Sequence, residues 1–189
     1  NVADQGGGAI FSAFEGRLTV NQSYFNRNKA VAGNDERGAG AIAFRGPDEI
    51  TVTHSEFVEN EGINGAAINS LNGRLTVENS RFINNTTTAA FYDTGNDNPS
   101  LRGYGGAIYT DRASTSSNDT SGTITIRNSL FEGNSWRGEG GAAYLYTGTQ
   151  DNVIVEASVF KDNQILPLPG GNGGNGGAIV QMNNGLNQG

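Results

Sequence analysis

Carboxylates are the side chains of this sequence with the clearest potential for chemistry. Two acids on one face could cleave a glycosidic bond, one donating a proton while the other acts as base or nucleophile. Such a site needs several acids, often with Lys, Arg or His, on neighbouring strands of one face. The acids are instead scattered through irregular segments, as Asp35, Glu36, Asp48, Glu49, Asp93, Asp97, Asp111 and Asp119. We therefore predict that the chain has no catalytic residues.

Histidine, serine and cysteine offer no stronger catalytic alternative. His54 is the single histidine, and equivalent segments carry Gln22, Asn79 or Asn128 at its position, which indicates a corner residue. A nucleophilic serine needs a base beside it, and no base recurs near the serines that align with Ser80. The chain has no Cys, which excludes disulfides and Cys-based metal sites.

Calcium is the one ion for which the sequence offers ligands. Asp93 and Asp97, and separately Asp119, place hard carboxylate oxygens in segments rich in Gly and Asn. Neither segment matches the EF-hand spacing. A solvated acidic loop is the favoured interpretation, so we predict no cofactor and no metal site, with Ca²⁺ at these three residues as the alternative.

Composition is more typical of a thin repeat protein than of a compact globule. The chain has 189 residues, of which 29 are Gly, and only 35% are hydrophobic. Each coil of a solenoid buries few side chains against its neighbours, which suits this composition. A net charge of −7 without a basic run argues against nucleic acid and against anionic membranes as partners. No apolar run reaches the ~18 residues of a membrane-spanning helix, so we predict no membrane insertion.

Two motifs alternate along the chain. The first runs from an apolar strand through Ser-x-Phe to Asn, and its first apolar residue precedes the Phe by seven positions in every copy, as in Leu75 and Phe82. Its Phe and Asn residues are Phe25, Phe57, Phe82, Phe131 and Phe160, then Asn28, Asn60, Asn85, Asn134 and Asn163. The second is Gly-Gly-Ala-Ile or a close variant. Its copies begin at Gly7, Ala39, Gly65, Gly105, Gly140 and Gly176.

Alternation within the motifs predicts strands, and repetition between them predicts a stack. Apolar and polar residues alternate with period two, and Thr, Val and Ile favour strands. The interval between copies varies from 26 residues (Ala41 to Ala67) to 40 (Ala67 to Ala107), as expected for a fixed core with variable loops. We predict an all-β, right-handed parallel β-helix with three strands per coil and about five to six coils. Residues 1–189 then form a single domain, one segment of a longer or polymeric assembly.

The alternation of Gly-Gly-Ala-Ile with Phe-x-x-Asn resembles the polymorphic outer membrane protein repeat family. The resemblance extends from Gly6 to Val180, and Phe82–Asn85 and Gly105–Ile108 carry it well. Members of that family are bacterial surface adhesins, and their passenger regions are interpreted as right-handed parallel β-helices. The resemblance therefore implies an extracellular or cell-surface location and an adhesive role. Two Gly-Gly motifs are degenerate, at Ala39 and at Ala66.

The functional prediction is an extracellular structural or adhesive module without catalytic activity. The alternative is a carbohydrate-active enzyme of the pectate-lyase-like β-helix class, acting on an extracellular polysaccharide. Predicted partners are copies of the chain joined end to end, or surface glycans and proteins.

Interface residues are predicted at both ends of the stack and among the aromatics. The open strands of a β-helix expose backbone groups that can pair with further strands. The first strand and its Gly motif contribute Gly7 and Ile10, and the last strand contributes Ile179, Val180 and Met182. The aromatic candidates, which could contact a sugar or a protein, are Tyr109, Tyr144 and Trp136.

Overall fold

A computed structural model describes residues 1–14, 16–30, 38–88, 103–114, 121–136, 138–167 and 174–183. All regular elements in these segments are β-strands, and all strand pairs are parallel. The strands form four stacked sheets, A to D, with six, six, five and five strands. The predicted parallel β-helix is therefore confirmed, while its right-handed sense stays a prediction.

Each complete coil gives one strand to each sheet, and the last described coil gives strands to sheets A and B. Sheet A contains β1 (Val2–Ala3), β5 (Lys29–Ala30), β9 (Glu61–Gly62), β13 (Thr86–Thr87), β17 (Ser135–Trp136) and β21 (Gln164–Ile165). Sheet B contains β2 (Ile10–Ala13), β6 (Ile42–Arg45), β10 (Ile68–Leu71), β14 (Ile108–Asp111), β18 (Ala143–Thr147) and β22 (Ile179–Asn183). Sheet C contains β3 (Leu18–Asn21), β7 (Glu49–Thr53), β11 (Arg74–Glu78), β15 (Thr123–Arg127) and β19 (Asn152–Glu156). Sheet D contains β4 (Tyr24–Asn26), β8 (Glu56–Val58), β12 (Arg81–Ile83), β16 (Leu130–Glu132) and β20 (Val159–Lys161).

The expectation of three strands per coil is wrong, because each coil has a fourth strand in sheet A. Sheet A strands are two residues long and directly follow the motif Asn, as Lys29–Ala30 follows Asn28. Two residues are too few to show an alternating pattern. The first residue of these strands also changes type from coil to coil, as Lys29, Glu61 and Thr86 show.

Corners between sheets are made by residues in the left-handed backbone region. Between sheets C and D the corner residues are Gln22, His54, Asn79, Asn128 and Ala157, with φ of 47° to 50°. Between sheets D and A they are Arg27, Glu59, Asn84, Gly133 and Asp162. Positive φ is uncommon outside Gly, and Asn, Asp and His tolerate it best. His54 thus lies at a bend of the backbone.

The core lies between the sheets and is built from columns of like residues in register. In sheet C, Leu18 pairs with Ile50, which pairs with Leu75. In sheet B, Ile10, Ile42, Ile68, Ile108, Ala143 and Ile179 form one column. Side chains in the middle coils are fully buried, whereas Ile10 and Ile179 in the outermost described coils are half-buried.

In the copy of the second motif that contains Gly105 and Gly106, each glycine occupies a position that disfavours a Cβ atom. Gly105 has φ of 66°, which disfavours any residue with a Cβ. Gly106 has an ordinary φ, but a Cβ atom there would collide with the carbonyl oxygen of Gly141 in the next coil. The second Gly therefore allows neighbouring coils to approach closely.

Gly106→Val is expected to lower the free energy of unfolding by ~1–3 kcal/mol or more, which is the usual cost of overpacking. The added side chain must displace the backbone of the next coil. Gly177 occupies the equivalent position in the last described coil, where an added Cβ would meet no atom within 4 Å. Gly177→Val is the matched control and should unfold at the wild-type urea concentration. Equal unfolding midpoints for the two variants would contradict the close approach.

Candidate functional site

Two polar ladders run along the corners of the coil. At each corner of sheet D, the left-handed residue still donates its N–H to the next coil, as Gln22 does to the carbonyl of Thr53. The residue after it donates to a side chain instead. Ser55 N donates to Ser80 Oγ at 3.1 Å, and Asn60 N donates to Asn85 Oδ1 at 3.1 Å. The side-chain oxygens of the motif Ser and Asn thus replace the backbone carbonyl acceptors that these N–H groups lack at the bend.

The asparagine ladder satisfies every polar atom of its interior amides. Asn60 Oδ1 accepts from the N–H of Asn28 at 3.0 Å and from its Nδ2 at 2.9 Å. Asn60 Nδ2 donates to Asn85 Oδ1 at 2.9 Å and to the carbonyl of Phe25 at 3.1 Å. The same bonds continue through Asn134 to Asn163. Buried amides are stable only when bonded in this way.

The ladder also includes Asn1, which lies outside the repeated Phe-x-x-Asn copies. Asn1 Nδ2 donates to Asn28 Oδ1 at 2.8 Å. The next residue, Val2, begins β1, which pairs with β5. Asn1 therefore takes the ladder position of a further coil. The repeat pattern did not reveal this role of Asn1, because no Phe precedes Asn1 in the sequence.

The five motif phenylalanines stack face to face along the axis. Ring centroids of successive residues are 4.6–4.8 Å apart, and ring planes differ by 9° or less. The spacing equals the ~4.8 Å between neighbouring strands. Phe57, Phe82 and Phe131 are completely buried.

The serine hydroxyls are committed to the backbone and are poorly placed for nucleophilic chemistry. Ser80 Oγ accepts from Ser55 N and donates to the carbonyl of Glu78 at 2.8 Å. Ser23, Ser55, Ser129 and Ser158 donate in the same way to the carbonyl two residues earlier.

Acidic side chains on the outer faces pair with basic side chains one coil away. Glu49 lies between Arg17 and Arg74, at 3.8 Å and 3.7 Å, and Arg127 lies between Glu78 and Glu156. Further pairs are Arg27–Glu59, Lys29–Glu61, Arg81–Glu56 and Lys161–Glu132. The hydrogen bond from Lys161 lowers the pKa of Glu132 below its ordinary value. Exposed pairs contribute ~0–1 kcal/mol each, but a slipped register would separate these pairs together.

Asp151 ties two loops together, a role that the repeat pattern did not reveal. Its carboxylate accepts from the backbone N–H groups of Gly148 at 2.7 Å, Ala113 at 2.8 Å and Gly122 at 2.9 Å. Ala113 and Gly122 flank residues 115–120. Asp151 appears in one coil only, so no column marks it.

Asp111 is the described acid with the least favourable surroundings. It ends β14, and its Oδ1 lies 3.8 Å from Arg112 Nε. Neither of these two atoms has a hydrogen-bond partner in the described part of the chain. Burial raises the pKa of Asp111, and the charge of Arg112 opposes this shift. One isolated carboxyl does not supply the second acid that glycosidic cleavage needs.

The three aromatic interface candidates are covered by the protein itself. Tyr109 and Tyr144 are 6% exposed, and Trp136 is 2% exposed. Tyr109 and Tyr144 pack with Leu71, Val180 and Tyr104 on the outer face of sheet B. Trp136 packs on Gly103 and Gly138, where any added Cβ would collide with its ring. Segments distant in sequence thus cover all three side chains, and their role at an interface stays a prediction.

The remaining interface candidates lie in the outermost described coils. Gly7 has φ of 64° and precedes β2, in which Ile10 is half-buried. In β22, Ile179 is half-buried, Val180 is 8% exposed and Met182 is 44% exposed.

The calcium alternative concerns residues outside the described part of the chain, since Asp93, Asp97 and Asp119 all lie there. Among the described residues, no group of three or more His, Cys, Asp or Glu side chains could hold a metal ion. The same residues contain no helix of the length and apolarity that a membrane crossing requires.

These observations define a parallel β-helix whose recurring side chains hold its coils together. Residues 79–111 match the model of the Chlamydia polymorphic membrane protein repeat. The match contains one copy of each motif, Phe82–Asn85 and Gly105–Ile108, and it confirms the resemblance to this repeat family. No match was found among curated proteins or among solved structures.

Asn85→Ala is expected to cost about 3 kcal/mol or more. It would leave the N–H of Asn60 and one of the two Nδ2 hydrogens of Asn60 without an acceptor, and each unsatisfied buried group costs ~1–3 kcal/mol. The control is Asn26→Ala, which removes an exposed side chain bonded only to the hydroxyl of Tyr24. Chemical unfolding of both variants measures the difference, and a free energy of unfolding for Asn85→Ala equal to that of the control would contradict a structural role for the ladder.

Proposed function

We propose that this chain is a non-catalytic structural or adhesive module of a bacterial surface protein. The observation that carries the proposal is that the polar side chains of the repeats are engaged in contacts that hold the coils together. The motif Ser hydroxyls donate to their own backbone, and the motif Asn amides bond to the neighbouring coil. The carboxylates of Glu56, Glu78 and Glu132 pair with basic side chains of the neighbouring coil. A general acid or base needs a carboxyl that faces the substrate with a tuned pKa.

The acidic side chains on the outer faces are engaged in contacts within the protein. Glu56, Glu78 and Glu132 each lie within 4 Å of a basic nitrogen one coil away, and Asp151 is occupied by three backbone N–H groups. These contacts support a role in setting the register. The match to a Chlamydia membrane protein repeat supports a location at a bacterial cell surface.

In chain order, the variable segments adjoin strands of sheet B, and this supports the surface near sheet B as the one that meets a glycan or protein. Residues 31–37, 89–102 and 168–173 all join a sheet A strand to a sheet B strand, and residues 115–120 follow β14 of sheet B. Loops carried by a rigid scaffold commonly carry binding specificity. Sheets C and D are joined to each other by short corners in every coil.

A panel of acidic and neutral polysaccharides tests the absence of catalysis. We expect no release of reducing ends or unsaturated products, because the outer carboxylates of Glu56, Glu78 and Glu132 are paired with basic side chains. The carbohydrate-active alternative predicts turnover on at least one polymer. Turnover that is lost in a single Asp→Asn or Glu→Gln variant, with unfolding unchanged, would overturn the proposal.

End-to-end contact between copies is the second part of the proposal. The outermost strands of sheets A and B would pair, β21 and β22 of one copy with β1 and β2 of the next. In the part of the chain that the structure describes, sheets C and D have one strand fewer. The proposed joint therefore uses the described outermost strands of sheets A and B.

Gly177→Val tests this contact. The equivalent Gly141 faces the carbonyl oxygen of Gly177, so Gly177 would face the backbone of Gly8 in the next copy. The variant should fold normally and lose concentration-dependent growth in sedimentation velocity and electron microscopy. Wild-type chains that stay monomeric at high concentration would rule the contact out, without bearing on the absence of catalysis.

A further inference from the structure

A cluster of tyrosines lies on the outer face of sheet B. Tyr109 and Tyr144 are direct partners in the pairing of β14 with β18, and Tyr146 follows two residues later on the same face. Tyr104 lies against them from a short segment that forms a parallel bridge with Glu139. Nothing in the coil repeat requires these aromatics, since the same column holds Ala43 and Asn69 in earlier coils.

The closest pair in the cluster joins two different coils. The ring centroids of Tyr104 and Tyr144 are 4.3 Å apart, with a 32° angle between the planes. Tyr109 lies farther from both, at 6.0 Å from Tyr104 and 5.9 Å from Tyr144. Tyr104 is half-buried and so reachable from solvent, whereas Tyr144 is 6% exposed.

Tyr104 also influences the phenol group of Tyr144. Burial raises the pKa of Tyr144, and Tyr104 is the next largest cause of the shift. A centroid separation of 4.3 Å places the two phenol rings in contact. The carbons beside the hydroxyls are the ones that couple when two tyrosines are oxidised.

We propose that Tyr104 and Tyr144 form a site of oxidative cross-linking that yields 3,3′-dityrosine. The oxidant is hydrogen peroxide acting through a peroxidase. Each phenol loses one electron and its hydroxyl proton, which gives two phenoxyl radicals. A carbon–carbon bond forms between the ring carbons beside the two hydroxyls, and the hydrogen on each carbon moves to its phenolic oxygen. The protein loses two hydrogen atoms in total, and one hydrogen peroxide becomes two water molecules.

The bond would fasten the segment before β14 to the following coil. The chain has no Cys, so no disulfide can serve this purpose. A cross-link stabilises chiefly by restricting the unfolded chain. The oxidised protein should therefore melt at a higher temperature than the untreated protein. The proposal goes beyond the surface role and does not depend on it.

The experiment treats the dilute purified chain with peroxidase and hydrogen peroxide. We expect a monomer lighter by two hydrogen atoms, with dityrosine fluorescence, and a linked peptide pair that contains residues 104 and 144. Tyr104→Phe and Tyr144→Phe keep the ring packing and should each abolish this product. Tyr24→Phe removes a tyrosine that is 61% exposed and should leave the product unchanged.

Oxidation in denaturant shows whether the cross-link depends on the folded structure or forms equally in the unfolded chain. The link between residues 104 and 144 should fall at least tenfold when the chain is unfolded before treatment. A product that maps to another tyrosine pair, forms only between molecules, or survives denaturation would overturn the proposal.

Discussion

Register between neighbouring coils is the constraint on which the rest of this structure depends. A parallel strand that slips by one residue turns its inward side chains outward. In the observed register Phe82 stacks on Phe57, Asn85 accepts from Asn60, and Ser80 accepts from Ser55. One slip would break all three contacts at once. The Phe, Asn and Ser ladders therefore all form in the same register, and together they specify one way of stacking the coils.

The ladders exist because the coil has corners. At a corner the backbone bends through a left-handed residue, and the following N–H group no longer faces a carbonyl of the next coil. A buried N–H without an acceptor is costly, so a side-chain oxygen must replace the carbonyl. The short hydroxyl of Ser80 serves one corner, and the amide of Asn85 serves the other. The amide also donates to the carbonyl of Phe57, so it satisfies donors and an acceptor with a single side chain.

The four faces of the coil divide their roles. Sheets C and D present alternating charges, such as Arg17, Glu49 and Arg74, which oppose a shifted register. Sheet B carries an aromatic layer on its outer face, and its strands adjoin the variable segments in chain order. Long insertions are tolerated there because loop closure costs grow slowly with length. The fold can thus vary one side while the other sides keep the coils aligned.

The sequence by itself determined the parallel stack and its main columns. Identical residues recur at fixed spacing only where successive coils bury the same position, so Phe82 and Asn85 could be assigned from repetition alone. Only the tertiary structure decided the fourth strand, because Lys29 and Glu61 pair through backbone groups that place no demand on residue type. It also decided the role of Asp151 and the burial of Tyr144. Both depend on contacts between segments that occur once in the chain, and such contacts leave no periodic signal in the sequence.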